Sequence, residues 1–202
     1  MKLNKLSALM SAALAASAMA FSTGALADSL AVTAGNAAVN LDFQITIPRT
    51  LSFRVGAAAA GTVTQIAFTP TAAQVGTGVA VAASAGGDLA VGVVTAKVVG
   101  NNGQITVTPT TVGALNNGGT GTIAWTQITT TAAVLTSATP LAAPTLVNGA
   151  GVAVNAPAPV AGVTTADARW TYAYANTTVP QAGTYGGVNT RNSRVTYTAA
   201  MP

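Results

Sequence analysis

The 202-residue chain has no cysteine and no histidine, and its four acidic residues are all aspartate. Without His, Cys or Glu the usual general bases and nucleophile partners are missing, so a hydrolytic Ser-His-Asp arrangement cannot be built. Carboxylate-pair chemistry would have to draw on Asp28, Asp42, Asp88 and Asp167, which are widely separated along the chain. The sequence therefore reads as non-catalytic, with no cofactor and no metal expected. The lack of cysteine also excludes disulfide support, so cohesion must come from apolar burial and backbone ladders alone.

Charge is the second scarcity, at 6% of residues. Lys2 and Lys5 precede an apolar run over residues 6–21, and the stretch ends near Ala25-Leu26-Ala27. That order makes residues 1–27 a secretory signal of bacterial type, with export through the periplasm to the outer cell surface or beyond. Ser17, Ser22, Thr23 and Gly24 interrupt the run and no charged stop-transfer flank follows, which argues against a membrane anchor. Residues 28–202 have the length of one domain. They carry Arg49, Arg54, Lys97, Arg169, Arg191 and Arg194 against the four aspartates. The high isoelectric point thus reflects few acids rather than a basic patch, and no nucleic-acid partner is expected. Disorder is disfavoured as well, because half of the residues are hydrophobic.

What the sequence does contain is alternation. Trp170, Tyr172 and Tyr174 alternate with Thr171, Ala173 and Ala175, and Val195, Tyr197, Ala199 and Met201 alternate with Thr196, Thr198 and Ala200. These two runs predict an antiparallel pair closing a half-buried sheet, with Tyr185 in the connection. The clearest period-two run is Leu41, Phe43, Ile45 and Ile47 against Asp42, Gln44 and Thr46. Pro48 interrupts it, and Leu51, Phe53 and Val55 resume. Further strands are predicted over residues 62–68, 78–83, 91–99, 104–108 and 122–129. Gly100-Asn101-Asn102-Gly103 is a strong hairpin signal, and Asn116-Asn117-Gly118-Gly119 marks another turn. Residues 130–166, with four prolines, read either as a long irregular loop or as short edge strands. No stretch keeps a helical period. Eight to ten short strands and almost no helix predict an all-β, immunoglobulin-like antiparallel sandwich.

Candidate ligand sites are few. Gly86-Gly87-Asp88 offers one carboxylate, which suits a capped turn better than a calcium loop. Trp125, Trp170, Tyr172 and Tyr174 make either a sugar-stacking platform or the core, and so few large residues favour the core. Asn176-Thr177-Thr178 matches the glycosylation acceptor pattern. Alternation with export is also the signature of a small outer-membrane β-barrel, but the aromatics form no two girdles and stable membrane insertion is not expected.

Ala182-Gly183-Thr184-Tyr185, followed by Arg194-Val195-Thr196-Tyr197-Thr198, resembles the closing strands of secreted pilin-like β-sandwiches, including chaperone-usher fimbrial subunits and the spore coat U group. The whole chain also resembles a set of proteobacterial exported proteins with the same ending. The resemblance implies an incomplete sandwich completed by an extended arm from the next subunit, residues 29–39 here, with Leu30, Val32, Ala34 and Val39 filling the groove. It also implies a periplasmic chaperone or outer-membrane assembly factor. The alternative is that this segment is the domain's own first strand. The disulfide common in those subunits is absent.

Together these readings predict a secreted structural protein, a fimbria-like or extracellular-matrix subunit, that self-associates into a homopolymer through strand addition. The reading from another class is a monomeric binding module that presents loops, residues 130–166 among them, to a glycan or a protein.

Overall fold

The computed structural model describes residues 30–59, 61 and 63–202. The expected signal, residues 1–27, lies outside the described residues, as do Asp28 and Ser29. The chain divides into two units, Met1–Ile47 and Pro48–Pro202, and every strand among the described residues lies in the second.

Ten strands follow in order: β1 Leu51–Val55, β2 Val81–Ala82, β3 Val93–Gly100, β4 Thr106–Thr111, β5 Leu115–Asn116, β6 Thr122–Ile123, β7 Ile128–Ala133, β8 Val154–Asn155, β9 Thr164–Tyr174 and β10 Val195–Ala200. The helical content among the described residues is one 3₁₀ turn, Trp125–Gln127. All named pairings are antiparallel. The larger sheet runs β1-β3-β9-β2, with β7 also on β9, and the smaller runs β10-β4-β8. The protein is thus an all-β sandwich, as its alternation and turn residues predict.

The alternation of β9 sets the core. Ala166, Ala168, Trp170, Tyr172 and Tyr174 face inward and are buried, whereas Thr165, Arg169 and Thr171 are exposed. β3 supplies Val94, Ala96 and Val98 to the same cluster, and the smaller sheet supplies Val107, with Ile105 just before it. Small residues beside Trp170 make room for its indole, which is wholly buried and donates from Nε1 to Leu141 O at 2.9 Å. Trp125 likewise donates from Nε1 to Gly113 O at 2.8 Å. Both polar handles are satisfied, as burial of tryptophan requires.

Several local expectations are corrected. β9 and β10 do not pair with each other: β9 lies in the larger sheet and β10 in the smaller. Their aromatic faces meet across the core instead, with the Trp170 and Tyr197 rings 5.3 Å apart and the Tyr172 and Tyr197 hydroxyls at 3.0 Å. The 20-residue connection between them, which includes Tyr185, is long enough to change sheets. The Gly100–Gly103 signal is likewise a corner between sheets rather than a hairpin, since β3 and β4 do not pair. Asn116–Gly119 does turn a hairpin, β5 to β6, with Asn116 Oδ1 accepting from Gly118 N at 3.0 Å and Asn117 Oδ1 from Gly119 N at 2.9 Å. Of the described residues 63–68, Ala67 alone makes a bridge, to Ala85. In 78–83 the strand shrinks to Val81–Ala82. Residues 134–163 are largely irregular, apart from β8.

Candidate assembly surface

On one side, residues leaving β7 run along β9, where Leu141 N donates to Asp167 O at 3.1 Å, and then reach β4, where Thr111 N donates to Gly149 O at 2.9 Å. β8 completes that crossing by pairing with Thr106 and Val107. This segment bonds to β9 and β4 and not to the outer edges of β7 and β8, which are themselves each paired on one side only. Asp167 fixes its start: the carboxylate, 5% exposed, accepts from Thr136 N and Ser137 N, both at 2.8 Å, and from the Thr136 hydroxyl. Burial raises its pKa, but the Thr136 and Ser137 donors outweigh that and hold it at about 2.

On the opposite side β1 and β10 are end strands, each paired on one edge only. They approach at one end of the sandwich, where Arg49 Nη1 donates to Pro202 O at 3.0 Å. Their inward side chains are incompletely covered. Phe53 and Val55 on β1, and Val195, Tyr197 and Ala199 on β10 with Met201 beyond it, pack on the core yet stay partly exposed. Leu51, register partner of Gly100, is exposed although it points the same way. By contrast Val98 and Trp170, on the inner strands, are fully buried. Like β7 and β8, whose Ile128, Ala132 and Val154 are also only partly buried, β1 and β10 leave strand edges free beside half-covered apolar side chains, and such an edge is a template for another strand.

The described part of the first unit is residues 30–47. It contains no strand, so both the expectation of a strand over 41–47 and the alternative of a first strand over 29–39 are not met. Leu41, Phe43, Ile45 and Ile47 are 75%, 84%, 85% and 77% exposed. Leu30, Val32, Ala34 and Val39 are exposed too. A single exposed apolar residue is ordinary, but four at strict period two give a strand-forming segment with one apolar face and nothing on it.

The other sequence candidates are placed elsewhere. Trp125, Trp170, Tyr172 and Tyr174 are buried, so none offers a ring for stacking a sugar. Tyr185 is half-buried and donates to Gln181 O at 2.6 Å. Asn176 of the acceptor pattern is fully buried in left-handed backbone, φ 56°, and its amide is spent on Gly76 N and Gln74 O. Asp88 caps its turn by accepting from Thr95 N at 2.8 Å. The turn needs Gly86, whose φ is +85° and where a Cβ would fall 1.7 Å from Gln65 O. No three of His, Cys, Asp and Glu cluster as metal ligands among the described residues.

Burial also governs the tyrosines. Desolvation pushes the Tyr172 hydroxyl up to about 12, partly offset by its bond with Tyr197, and Tyr197 is raised by burial and then by Tyr172. Tyr174 is raised by burial and by neighbouring Tyr185, and its Oη is buried with no hydrogen-bond partner, as is Thr130 Oγ1. Sequence reasoning missed the β1/β10 opening, because periodicity reports which face of a strand is apolar and not which edge is left unpaired. Compared with known proteins, the chain matches no family model, no curated protein and no solved structure.

Proposed function

We propose that this is an exported structural protein that self-associates at the bacterial cell surface by strand addition, as a fimbria-like or matrix subunit. The observation that carries the reading is the exposed period-two run Leu41, Phe43, Ile45 and Ile47, in a chain whose sandwich has free strand edges, β1 and β10 among them, over half-covered apolar side chains. The donor in this reading is residues 41–47, which follow the 29–39 arm implied by the resemblance and carry larger side chains. Leu30, Val32, Ala34 and Val39 extend the same segment. Seven residues match the length of the six-residue β10 and the five-residue β1. Backbone ladders supply affinity, and the apolar face of the donor covers the strip between the sheets. Arg54 lies in β1 with Arg49 just before it, and Arg191 and Arg194 precede β10, against one aspartate, Asp42, in the donor segment.

The test is sedimentation velocity with negative-stain microscopy on protein from the cell exterior, for the parent chain and for a deletion of residues 41–47. Oligomers in the parent that disappear on deletion, with the cooperative melt retained, are expected. A monomeric parent would overturn the proposal and move attention to the loops as ligand-binding surfaces.

A further inference from the structure

The loop that leads into β10 holds an unusual backbone. Of the five non-glycine residues with positive φ among the described residues, three lie within residues 189–192: Asn189, Arg191 and Asn192, at 53°, 53° and 59°. Asparagine tolerates that region, whereas arginine seldom enters it. Such a conformation persists where its surroundings impose it, and it concentrates at ligand clamps. Here Asn192 Nδ2 donates to Ala114 O at 3.0 Å, Asn116 N donates to Arg191 O at 3.2 Å, and Ser193 N closes a turn on Thr190 O at 3.0 Å. The loop is therefore built onto the connection between β4 and β5.

Residues 189–194 and Val112 line a cavity of about 190 Å³. Arg191 is oriented there by Nη1, which donates to Thr184 O at 2.8 Å, and its remaining N–H groups are left for a ligand. The Arg194 guanidinium has no hydrogen bond or ion pair among the described residues. Turn backbone adds partial positive charge to such a concavity through its N–H groups. No acid opposes these charges. Asp88 and Asp167, the two aspartates of Pro48–Pro202, are committed elsewhere, to Thr95 N and to Thr136 and Ser137.

We infer that residues 189–194 form a binding site for a phosphate monoester, with Arg191 and Arg194 supplying its charge. Guanidinium forks pair with phosphate oxygens through parallel N–H bonds. A phosphate monoester carries about −1.5 to −2 at pH 7, which two arginines balance, whereas a carboxylate would leave one of them unmatched. Exposed Val112 offers an apolar wall to the carbon side of the ester. The same chemistry is presented by a soluble ester and by a lipid headgroup. The site lies wholly within Pro48–Pro202 and holds whether or not the chain assembles.

The test titrates the full chain with glycerol 3-phosphate by isothermal calorimetry, with lactate as the carboxylate comparison and thermal melting in parallel. Saturable binding at one site per chain is expected, weaker by about tenfold in Arg194→Gln, which removes charged hydrogen bonds, and partly restored in Arg194→Lys. Arg169→Gln, on the exposed face of β9, is the control and should bind like the parent. Co-sedimentation with phosphatidic-acid vesicles, lost in Arg194→Gln and absent with phosphatidylcholine, would place the phosphate on a lipid; binding of the soluble ester alone would place it on a small molecule. Lactate binding as tightly as the ester, equal losses in Arg194→Gln and Arg169→Gln, or no saturable binding to ester or vesicle would overturn the site.

Discussion

On the proposed strand-addition reading, Ile45→Ala tests whether Ile45 acts in assembly and not in folding. Ile45 is 85% exposed and belongs to no strand, so truncating it removes no packing from the subunit. Its effect on the melting of the isolated sandwich should stay within about 0.5 kcal/mol, as for other surface changes. In an assembled chain the same side chain is buried against the β1/β10 strip, where covering an isoleucine contributes about 2 kcal/mol. Its loss therefore weakens each junction by about thirtyfold, since about 1.4 kcal/mol is a factor of ten. The assay is the concentration dependence of polymer mass, with thermal melting in parallel. Gln44→Ala is the internal control, because Gln44 lies on the other face of the segment and should change assembly by less than about twofold. The reasoning is refuted if Ile45→Ala and Gln44→Ala act alike, or if Ile45→Ala lowers the melting temperature, which would make Ile45 a core residue of its own chain.

The remaining predictions concern the sandwich itself. Tyr174→Phe should stabilise the fold by about 1 kcal/mol in denaturant titration, because it removes a buried hydroxyl that has no partner, whereas Tyr172→Phe should cost about 1 kcal/mol by breaking the bond to Tyr197. The raised tyrosine pKa values stabilise the fold fully below the ordinary value of 10. Stability should fall as pH rises from about 10 towards 12, by about 1.4 kcal/mol per pH unit for Tyr172, read by phenolate absorbance against unfolding. Asp167→Asn should cost about 2 kcal/mol at neutral pH, since it weakens hydrogen bonds to a charged acceptor. The wild-type carboxylate contributes fully above about 3.8 and loses its contribution as pH falls towards 2, so the two proteins should converge in acid unfolding curves. Asn176→Ala should destabilise by about 3 kcal/mol, because it strands Gly76 N and Gln74 O and leaves alanine at positive φ; unchanged melting would contradict that role.

Local periodicity placed Trp170, Tyr172 and Tyr174 on one inward face, and the Asn-Gly turn at residues 116–119 was legible because its chemistry is local. Partner choice was not. β9 and β10 look like a hairpin in sequence, yet they sit in opposite sheets, because the meeting of Trp170 with Tyr197 is decided across the core and not along the chain. The segment after β7 was equally opaque: its course is fixed by single distant bonds, such as Trp170 Nε1 to Leu141 O and Thr111 N to Gly149 O, which leave no periodic trace.

The run over residues 41–47 shows the same limit from the other side. Leu41, Phe43, Ile45 and Ile47 carry as clean an alternation as any strand of the sandwich, but alternation states only that one face needs covering. It is silent on which chain supplies the cover. A strand signal without a strand is therefore informative in itself. On the proposed strand-addition reading, the alternation of residues 41–47 describes a strand that completes the edge of another subunit.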